Sequence, residues 1–426
     1  MLLVIPLILA VASSAICATT GGKAEERITP DKVVRLSDLI KEAKEKNMRL
    51  RAARLKWESI KEKYPRATSY DDPMVTYVQP IREIETRLGP QERIITLSQK
   101  IPFPGKLGLK GDIVTKEIEI AKTEYQKATR DLTTEVKKAY YELYYVDKVM
   151  ELSKENDAVL DYFAEVSRTN YGLSVSQLDE LVRAQKLSAR ASFDLIRSND
   201  IRSNIVARLN ALLYRPQDYP VGKAVEPELK TFQYHLNELL IWGVENYEEL
   251  KIAGLKVKKG DLEKDLSRYS YLPNFRIGVN YSQIGDPPSL IPDAGEDAYA
   301  VTFGMNIPLW FSKNKAAVNQ ASINREKSFI EKNAITNELE NKIKRVYFNL
   351  TNSERIVKLY GETLIPEAKD SLAFAEARYK SGEEMLGRLL ETQSMWINFQ
   401  LVYFRSLTDY FKSIAELERL TAKKLY

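Results

Sequence analysis

The chain has almost none of the residues that most metal centres and nucleophilic active sites require. Its 426 residues include one cysteine, Cys17, and one histidine, His235. Cys17 falls in an apolar leader, so we expect the mature chain to have no thiol and no disulfide. His235 has no second histidine or cysteine to act with and is interpreted as a surface or helix-capping residue. These absences exclude most catalytic chemistry, and we expect a protein that is not an enzyme and has no cofactor.

Two further features are nearly absent: an excess of charge of one sign, and long apolar segments. Lysine and arginine number 64 and aspartate and glutamate 59, which leaves a net charge of only +5. Over a chain of this length, that excess does not favour nucleic acid as a partner. Beyond residue 18, no segment approaches the ~18 uninterrupted apolar residues that a transmembrane helix needs. If this chain enters a membrane, strands must do it.

The first 18 residues form the one long apolar run and predict an export signal. Met1–Ala18 has roughly the length of a signal h-region and is followed by small and polar residues. Cleavage after Ala15 or Ala18 would fit this pattern. Lipidation of Cys17 stays open, although the preceding Ile16 is larger than the residue that a lipoprotein signal prefers. Residues 1–18 are therefore predicted to be a signal peptide.

The clearest strand signal lies between Tyr271 and Trp310. Apolar side chains occupy every second position of two runs, and a turn-rich segment separates the runs. The apolar positions are Phe275, Ile277, Val279 and Tyr281 in the first run, and Tyr299, Val301, Phe303, Met305 and Ile307 in the second. This alternation predicts a β-hairpin, and a less regular hairpin is predicted at about residues 70–103. One apolar face and one small or polar face fit either a half-buried sheet packed on helices or a barrel wall with lipid outside.

The rest of the chain has helical patterns. Leu36 to about Tyr64 is predicted to form one helix that Pro65 ends. A second helix is predicted from Gly105 to about Thr169, because apolar residues recur there by threes and fours in a sustained seam. Roughly 60 residues at 1.5 Å each would span about 90 Å, which no compact domain needs. A further helix is predicted from about Ser176 to Tyr214.

The second half of the chain repeats the order of the first. Five positions correspond at a constant offset of 200: Leu36, Leu39, Leu50, Ala53 and Pro73 match Leu236, Leu239, Leu250, Ala253 and Pro273. The Ile101-Pro102 pair matches Ile307-Pro308 at an offset of 206, and Gly172 matches Gly382 at 210. Ordered proline and glycine matches indicate a duplication. We predict two repeats, 30–220 and 230–426, each with a helix, a hairpin, a long helix, a reversal and a helix.

Four strands cannot close a barrel, which takes about eight at minimum. Open strand edges are not tolerated in lipid, so strands in a membrane would require several chains to build one barrel together. The long helices would then hang from that barrel as a shared bundle. Such an assembly is a pore in an outer membrane with a helical tube reaching inward.

Short motifs in both halves carry a family resemblance. Residues 97–106, LSQKIPFPGK, and residues 306–310, NIPLW, join a strand to a helix in each half. Residues 168–173, RTNYGL, with 183–185, RAQ, and residues 378–382, RYKSG, with 391–393, ETQ, flank the two reversals. In this order the motifs resemble those of TolC-family outer membrane efflux proteins, and the similarity covers essentially all of the mature sequence.

The resemblance implies a mainly α fold with a membrane β-barrel. It implies a homotrimer in outer membrane lipid, with a twelve-strand barrel and a long α-helical tunnel in the periplasm. Members of this family have no catalytic site and export substrate that an inner-membrane transporter and a periplasmic adaptor protein hand over. The glycine-lysine junction at Gly105-Lys106 is similar to the heavy-metal branch of the family. Metal ions, drugs, organic solutes and polypeptides all stay open as substrates, because the seven methionines and one histidine form no evident ligand series.

The resemblance also implies roles for residues at the two reversals. A sharp reversal needs a residue that accepts positive φ, and Gly172 and Gly382 are expected to supply it. Exposed turns of this kind meet the adaptor in the family, which makes Gly172, Leu173, Ser174, Gly382 and Glu383 the docking candidates. Tyr379, Arg388 and Glu391 are the candidates for a tunnel gate, with Arg388 standing where a relative has an aspartate.

Two other classes of protein share part of this sequence pattern. A periplasmic coiled-coil adaptor or structural protein without a pore would share the signal and the long helices, but would not need two amphipathic hairpins at matched positions. An exported enzyme would need convergent polar groups. The aromatic cluster Tyr140, Tyr141, Tyr144 and Tyr145 has helical spacing and is interpreted as packing or lumen lining instead.

Overall fold

The structure is a computed structural model that describes residues 33–82, 84–172, 178–286, 292, 295–383 and 385–426. The predicted signal peptide lies outside this part of the chain. The helices are α1 (Leu36–Lys46), α2 (Met48–Lys61), α3 (Lys63–Thr68), α4 (Lys106–Gly172), α5 (Leu178–Leu213), α6 (Leu236–Asn246), α7 (Glu248–Arg268), α8 (Phe311–Leu359), α9 (Ile365–Lys380) and α10 (Leu386–Thr421). The strands are β1 (Met74–Val78), β2 (Ile84–Thr86), β3 (Gly89–Ile101), β4 (Phe275–Ile284) and β5 (Ala298–Met305).

The same order of elements occurs in both halves of the described chain. Helices α1 and α6 have 11 residues each, and the returning helices α5 and α10 have 36 residues each. The long helix α4 has 67 residues, which is about 100 Å of helix. Its counterpart in the second half is α8 followed by α9, and the π-helical turn Tyr360–Leu364 joins the two. The duplicated unit that the sequence predicted is therefore present in the fold.

The prediction of a single helix over residues 36–64 is wrong in two respects. The segment is interrupted at Asn47, and helical structure continues beyond Pro65. Asn47 is extended, with φ −67° and ψ 119°, and separates α1 from α2. Its side chain accepts a hydrogen bond from the Leu50 backbone N–H at 3.1 Å and donates one to the Leu212 carbonyl at 2.9 Å. Pro65 does not end the helical segment, because it lies in the first turn of α3, where a missing N–H costs little. Tyr247 makes the matching break between α6 and α7.

The main hydrophobic core lies in the middle of the helical bundle, where α4, α5, α6, α8 and α10 meet. Leu209, Leu213, Tyr410 and Leu417 are fully buried there. A smaller core lies toward the reversal of the long helices and includes Leu160, Ala184, Leu389 and Leu390. The bundle is thus held by one large and one small core.

The aromatic cluster on α4 is part of this core. Tyr140, Tyr141 and Tyr144 are buried, and the Tyr141 ring stacks on Phe411 with centroids 5.1 Å apart. The packing interpretation is confirmed for these three tyrosines. His235 directly precedes α6, and its backbone N–H donates to the Glu238 carboxylate at 2.8 Å, as expected for a residue at a helix start.

Candidate functional site

The four main strands form one antiparallel sheet in the order β1-β3-β4-β5, and β2 pairs with the loop end of β3. The register places large apolar residues in line across all four strands. One such row is Val75, Leu97, Val279 and Val301, and the next is Tyr77, Ile95, Tyr281 and Tyr299. Most of these side chains are exposed, with Val75 at 68% and Tyr299 at 77%. The sheet thus presents a continuous apolar face that none of the described helices covers.

The opposite face of the sheet is mostly small and polar, with Met74, Val78 and Ile94 as the large apolar exceptions among its paired positions on β1 and β3. One of its rows is Thr76, Thr96, Asn280 and Ala300, and the next is Met74, Ser98, Gly278 and Thr302. A Cβ on Gly278 would lie 2.8 Å from the Thr302 hydroxyl, so the absence of a side chain lets neighbouring strands pack closely here. The half-buried soluble sheet that the hairpin alone allowed would bury the apolar face. The structure does the reverse, which is the pattern of a wall with lipid outside and water inside.

Both outer edges of the sheet are open. Strands β1 and β5 each pair with one neighbour among the described residues, β1 with β3 and β5 with β4. Every side chain of β5 is exposed. Unpaired N–H and C=O groups on an apolar strand are costly in lipid and invite pairing with another chain.

The strand-to-helix junction between β3 and α4 is a defined packing unit. Gly105 has φ +87°, and a Cβ there would lie 2.8 Å from the Tyr269 hydroxyl. The Phe103 ring packs between Tyr269 and Phe275, with centroids 6.1 Å and 6.2 Å away. The Asn274 side-chain oxygen accepts from the Phe103 backbone N–H at 3.4 Å. The motif that the sequence singled out thus fixes the angle between the sheet and the long helix.

The two reversals differ from each other. Gly382 has φ +76° and closes a Schellman motif, because the Glu383 N–H donates to the Arg378 carbonyl at 2.9 Å and the Gly382 N–H to the Tyr379 carbonyl at 3.1 Å. Gly172 does not have positive φ; it is the last residue of α4 and is helical. The expectation for Gly172 is therefore wrong, since α4 runs through it before turning. Leu173 and Ser174 lie outside the described residues.

The structure brings together two of the three gate candidates. Arg388 Nη1 lies 3.2 Å from Glu391 Oε2, one helical turn along α10, and the side chains are 63% and 72% exposed. Tyr379 instead packs edge-on against Phe163 on α4, with centroids 6.0 Å apart. Burial and the nearby Glu180 carboxylate raise the pKa of Tyr379, so its phenol is protonated at neutral pH. Glu383 lies 3.7 Å from the Arg378 guanidinium.

Sequence reasoning did not single out Lys100 and Arg276, which lie opposite each other on the polar face of the sheet. The alternation along β4 already assigned Arg276 to the small or polar positions. Its pairing with Lys100 follows only from the register between β3 and β4, which joins the two repeats. The sequence could have revealed this pair only if the register between β3 and β4 had been known.

The helices and the acidic side chains of the described residues bear on membrane spans and on metal binding. No helix in the described part of the chain combines the length and the apolar character that crossing a bilayer requires. Within the same residues, no group of three or more histidine, cysteine, aspartate or glutamate side chains is arranged to hold a metal ion.

A sheet with an exposed apolar face and two open edges, joined to a helix of about 100 Å, is the architecture of a membrane channel protein with a helical extension. Comparison with known proteins gives a family match for the second half of the chain. Residues 244–423 match the family model for outer membrane efflux proteins. The comparison with curated protein sequences gives no match.

Solved structures share the whole fold at low sequence identity. A membrane protein from Pseudomonas aeruginosa is 16% identical with a TM-score of 0.77, covering 91% of this chain and 90% of its own. The outer membrane protein VceC from Vibrio cholerae is 16% identical with a TM-score of 0.75, covering 92% of this chain and 97% of its own. The CmeC outer membrane channel of Campylobacter jejuni is 16% identical with a TM-score of 0.71, covering 99% of this chain and 94% of its own.

The second half of the chain thus matches the outer membrane efflux protein family, and the chain as a whole has the fold of the solved outer membrane channels. This family is a transport family and not an enzyme family. Outer membrane efflux channels of this kind work in tripartite systems with an adaptor and an inner-membrane pump. The adaptor protein that the sequence left as an alternative is therefore set aside.

Proposed function

We propose that three copies of this chain form one channel-tunnel, which passively conducts substrate from an inner-membrane transporter and a periplasmic adaptor to the exterior. The observation that carries this proposal is the four-strand sheet with its apolar face exposed and both edges open. Three such sheets, joined β5 to β1, give twelve strands and remove every edge. The apolar faces then contact outer membrane lipid, and the polar faces surround the lumen.

The helices supply the second part of the conduit. Helix α4 is about 100 Å long, and α5 and α10 run back along the bundle. Mixed charge outside the buried seam suits helices that pack on neighbours with one face and contact water with another. A tunnel of this length would reach far into the periplasm from the membrane.

The reversal of the long helices is the proposed docking site for the adaptor. Gly172, Leu173, Ser174, Gly382 and Glu383 are the proposed contact residues. The tight Schellman turn at Gly382 supports this, since it holds Glu383 in a fixed exposed position. The proposed gate remains Tyr379, Arg388 and Glu391. The Arg388–Glu391 ion pair on α10 supports the involvement of those two side chains, while Tyr379 would act by anchoring α9 against α4.

Single-channel recording tests the proposed function. The purified, detergent-extracted protein would be added to a planar bilayer, and its mass in detergent would be measured on the same preparation. We expect discrete openings from a species about three times the chain mass, because closure of the sheet requires three copies. A monomer that never conducts and stays soluble without detergent would overturn the proposal.

A further inference from the structure

On the polar face of the sheet, residues that pair across the four main strands form rows. Only one of these rows contains charged side chains. In that row Lys100 on β3 lies opposite Arg276 on β4, and Gly304 on β5 completes the row. The remaining rows hold only uncharged side chains. Lys100 pairs with Asp71 at 3.1 Å, whereas no carboxylate of the described residues lies within 4.0 Å of the Arg276 guanidinium. The charged row is therefore net positive.

Lysines continue this positive charge into the long helix. Lys106 is the first residue of α4 and Lys110 lies one turn further, and the first turn contains no acidic residue. Lys106 is half-buried. The Lys106 ammonium donates to the side-chain oxygen of Asn274 at 3.4 Å, and Asn274 lies two residues before Arg276. Burial, together with the positive charges of Lys110 and Lys100, lowers the pKa of Lys106.

This arrangement is not what helix stability favours. Helix starts are stabilised by aspartate and glutamate and destabilised by lysine, because the unsatisfied N–H groups carry partial positive charge. The start of α8 shows the same pattern, with Lys313 and Lys315 and no acidic residue in its first turn. Helix stability therefore does not explain why both repeats carry positive charge at the junction between sheet and helix.

We propose that Lys100, Lys106, Lys110 and Arg276, together called the basic cluster, make the channel select anionic solutes. This inference rests on the proposed trimer, in which the polar faces line the lumen and three basic clusters lie at one level of the conduit. Fixed positive charge in a narrow pore raises the local concentration of anions and opposes the entry of cations. Carboxylate- or phosphate-bearing organic solutes fit this wall, whereas free metal cations do not.

Reversal potentials in a planar bilayer test the selectivity. The full-length protein would be recorded under a potassium chloride gradient, first in dilute and then in concentrated salt. We expect the anion-to-cation permeability ratio to be roughly threefold or more in dilute salt. The ratio should approach one in concentrated salt, because the Debye length falls from ~10 Å at 0.1 M to ~3 Å at 1 M.

Substitutions separate the basic cluster from the rest of the protein charge. Arg276→Gln combined with Lys110→Gln removes two exposed cations and should lower the permeability ratio about twofold or more. Arg93→Gln is the matched control, because Arg93 is an exposed cation on the same sheet but lies at an apolar-face position of β3, opposite Gln283. The control should keep the ratio of the unaltered protein.

The outcomes distinguish this inference from the proposed function. Discrete channels that prefer cations, or an equal effect of the double variant and the Arg93→Gln control, would overturn the basic cluster and leave the channel in place. Absence of any conductance from the unaltered protein would overturn both. If the double variant does not insert, the salt dependence of the unaltered protein still decides, since a ratio near one in dilute salt contradicts the proposal.

Discussion

Single residues decide how the chain reverses and where the sheet meets the helices. Gly105 and Gly382 both have positive φ, at +87° and +76°. A side chain at Gly105 would also collide with Tyr269, while the surroundings of Gly382 are open. Glycine is therefore required at Gly105 for space and backbone conformation, and at Gly382 for backbone conformation alone.

Substitution by alanine should have different effects on stability at the two reversal glycines. Gly382→Ala should destabilise the turn by about 1 kcal/mol, because the left-handed conformation is strained for alanine. Gly172→Ala should be neutral or stabilising by up to about 1 kcal/mol, because alanine is the better helix former and nothing lies within 4 Å of the added Cβ. Hydrogen exchange of the amides around each turn measures the effect. Equal destabilisation by both substitutions would contradict a helical Gly172.

Sequence reasoning located both glycines but could not separate their conformations. The motifs around them match at an offset of 210, so the same role was expected of each. Which residue takes positive φ depends on where the helix stops, and α4 continues through Gly172 whereas α9 ends at Lys380. Helix ends are set by local hydrogen bonds that periodicity does not reveal.

At the scale of elements, ion pairs between helices stabilise the middle of the bundle. Arg202 on α5 donates to Asp147 on α4 at 2.7 Å. The carboxylate of Glu416 on α10 accepts from Lys138 on α4 at 2.6 Å and from Arg419 on its own helix at 2.6 Å. Burial alone would raise the pKa of Glu416, but these two cations lower it below its ordinary value.

Low pH should weaken the ion pairs of Glu416. Because the pKa of Glu416 is lower in the folded protein than in the unfolded chain, its stabilisation is present above the unfolded value and is lost as pH falls through the folded value. Glu416→Gln should lower stability at neutral pH by about 1–2 kcal/mol and flatten the loss of stability in acid. Thermal melting in detergent from about pH 7 to pH 3 measures both effects. Glu331→Gln, at an exposed position on α8, is the control, and an identical acid profile for all three proteins would contradict the role of Glu416.

Element types were predictable and element breaks were not. Period-two alternation identified β4 and β5, and the apolar seam identified α4, because both patterns extend over many residues. The break at Asn47 depends on a hydrogen bond to the Leu212 carbonyl, which comes from a distant helix. No local pattern around Asn47 contains that information.

At the scale of the whole molecule, the open edges of the sheet predict contacts between copies. In a Cys17→Ser background, a cysteine at Thr76 on β1 combined with one at Ala300, Thr302 or Gly304 on β5 should form disulfides between chains. Oxidation should give dimers and trimers on a denaturing gel for at least one pair, because barrel closure brings these edges together. The pair Thr96→Cys and Asn280→Cys, which are register partners on β3 and β4, should cross-link only within a chain. Monomers from every β1–β5 pair would contradict the closed barrel.

The sequence predicts that several chains are needed, since four strands are too few to close, and the assembly stays a prediction. The charge of the lumen wall could not, because it depends on which strands are neighbours. Lys100 belongs to the first half of the chain and Arg276 to the second, and only the β3–β4 pairing places them side by side.

That same pairing sets an order of folding. The centre of the sheet joins residues 91–101 to residues 275–284, so the β1–β3 pair has no neighbour on the β3 side until the second half of the chain has been exported. Helices form through local hydrogen bonds and in microseconds, whereas pairing across such a distance along the chain is slow. Individual helices therefore form before the centre of the sheet is paired. Until then the strand edges of each chain are exposed to other chains, and correct assembly competes with aggregation in the periplasm.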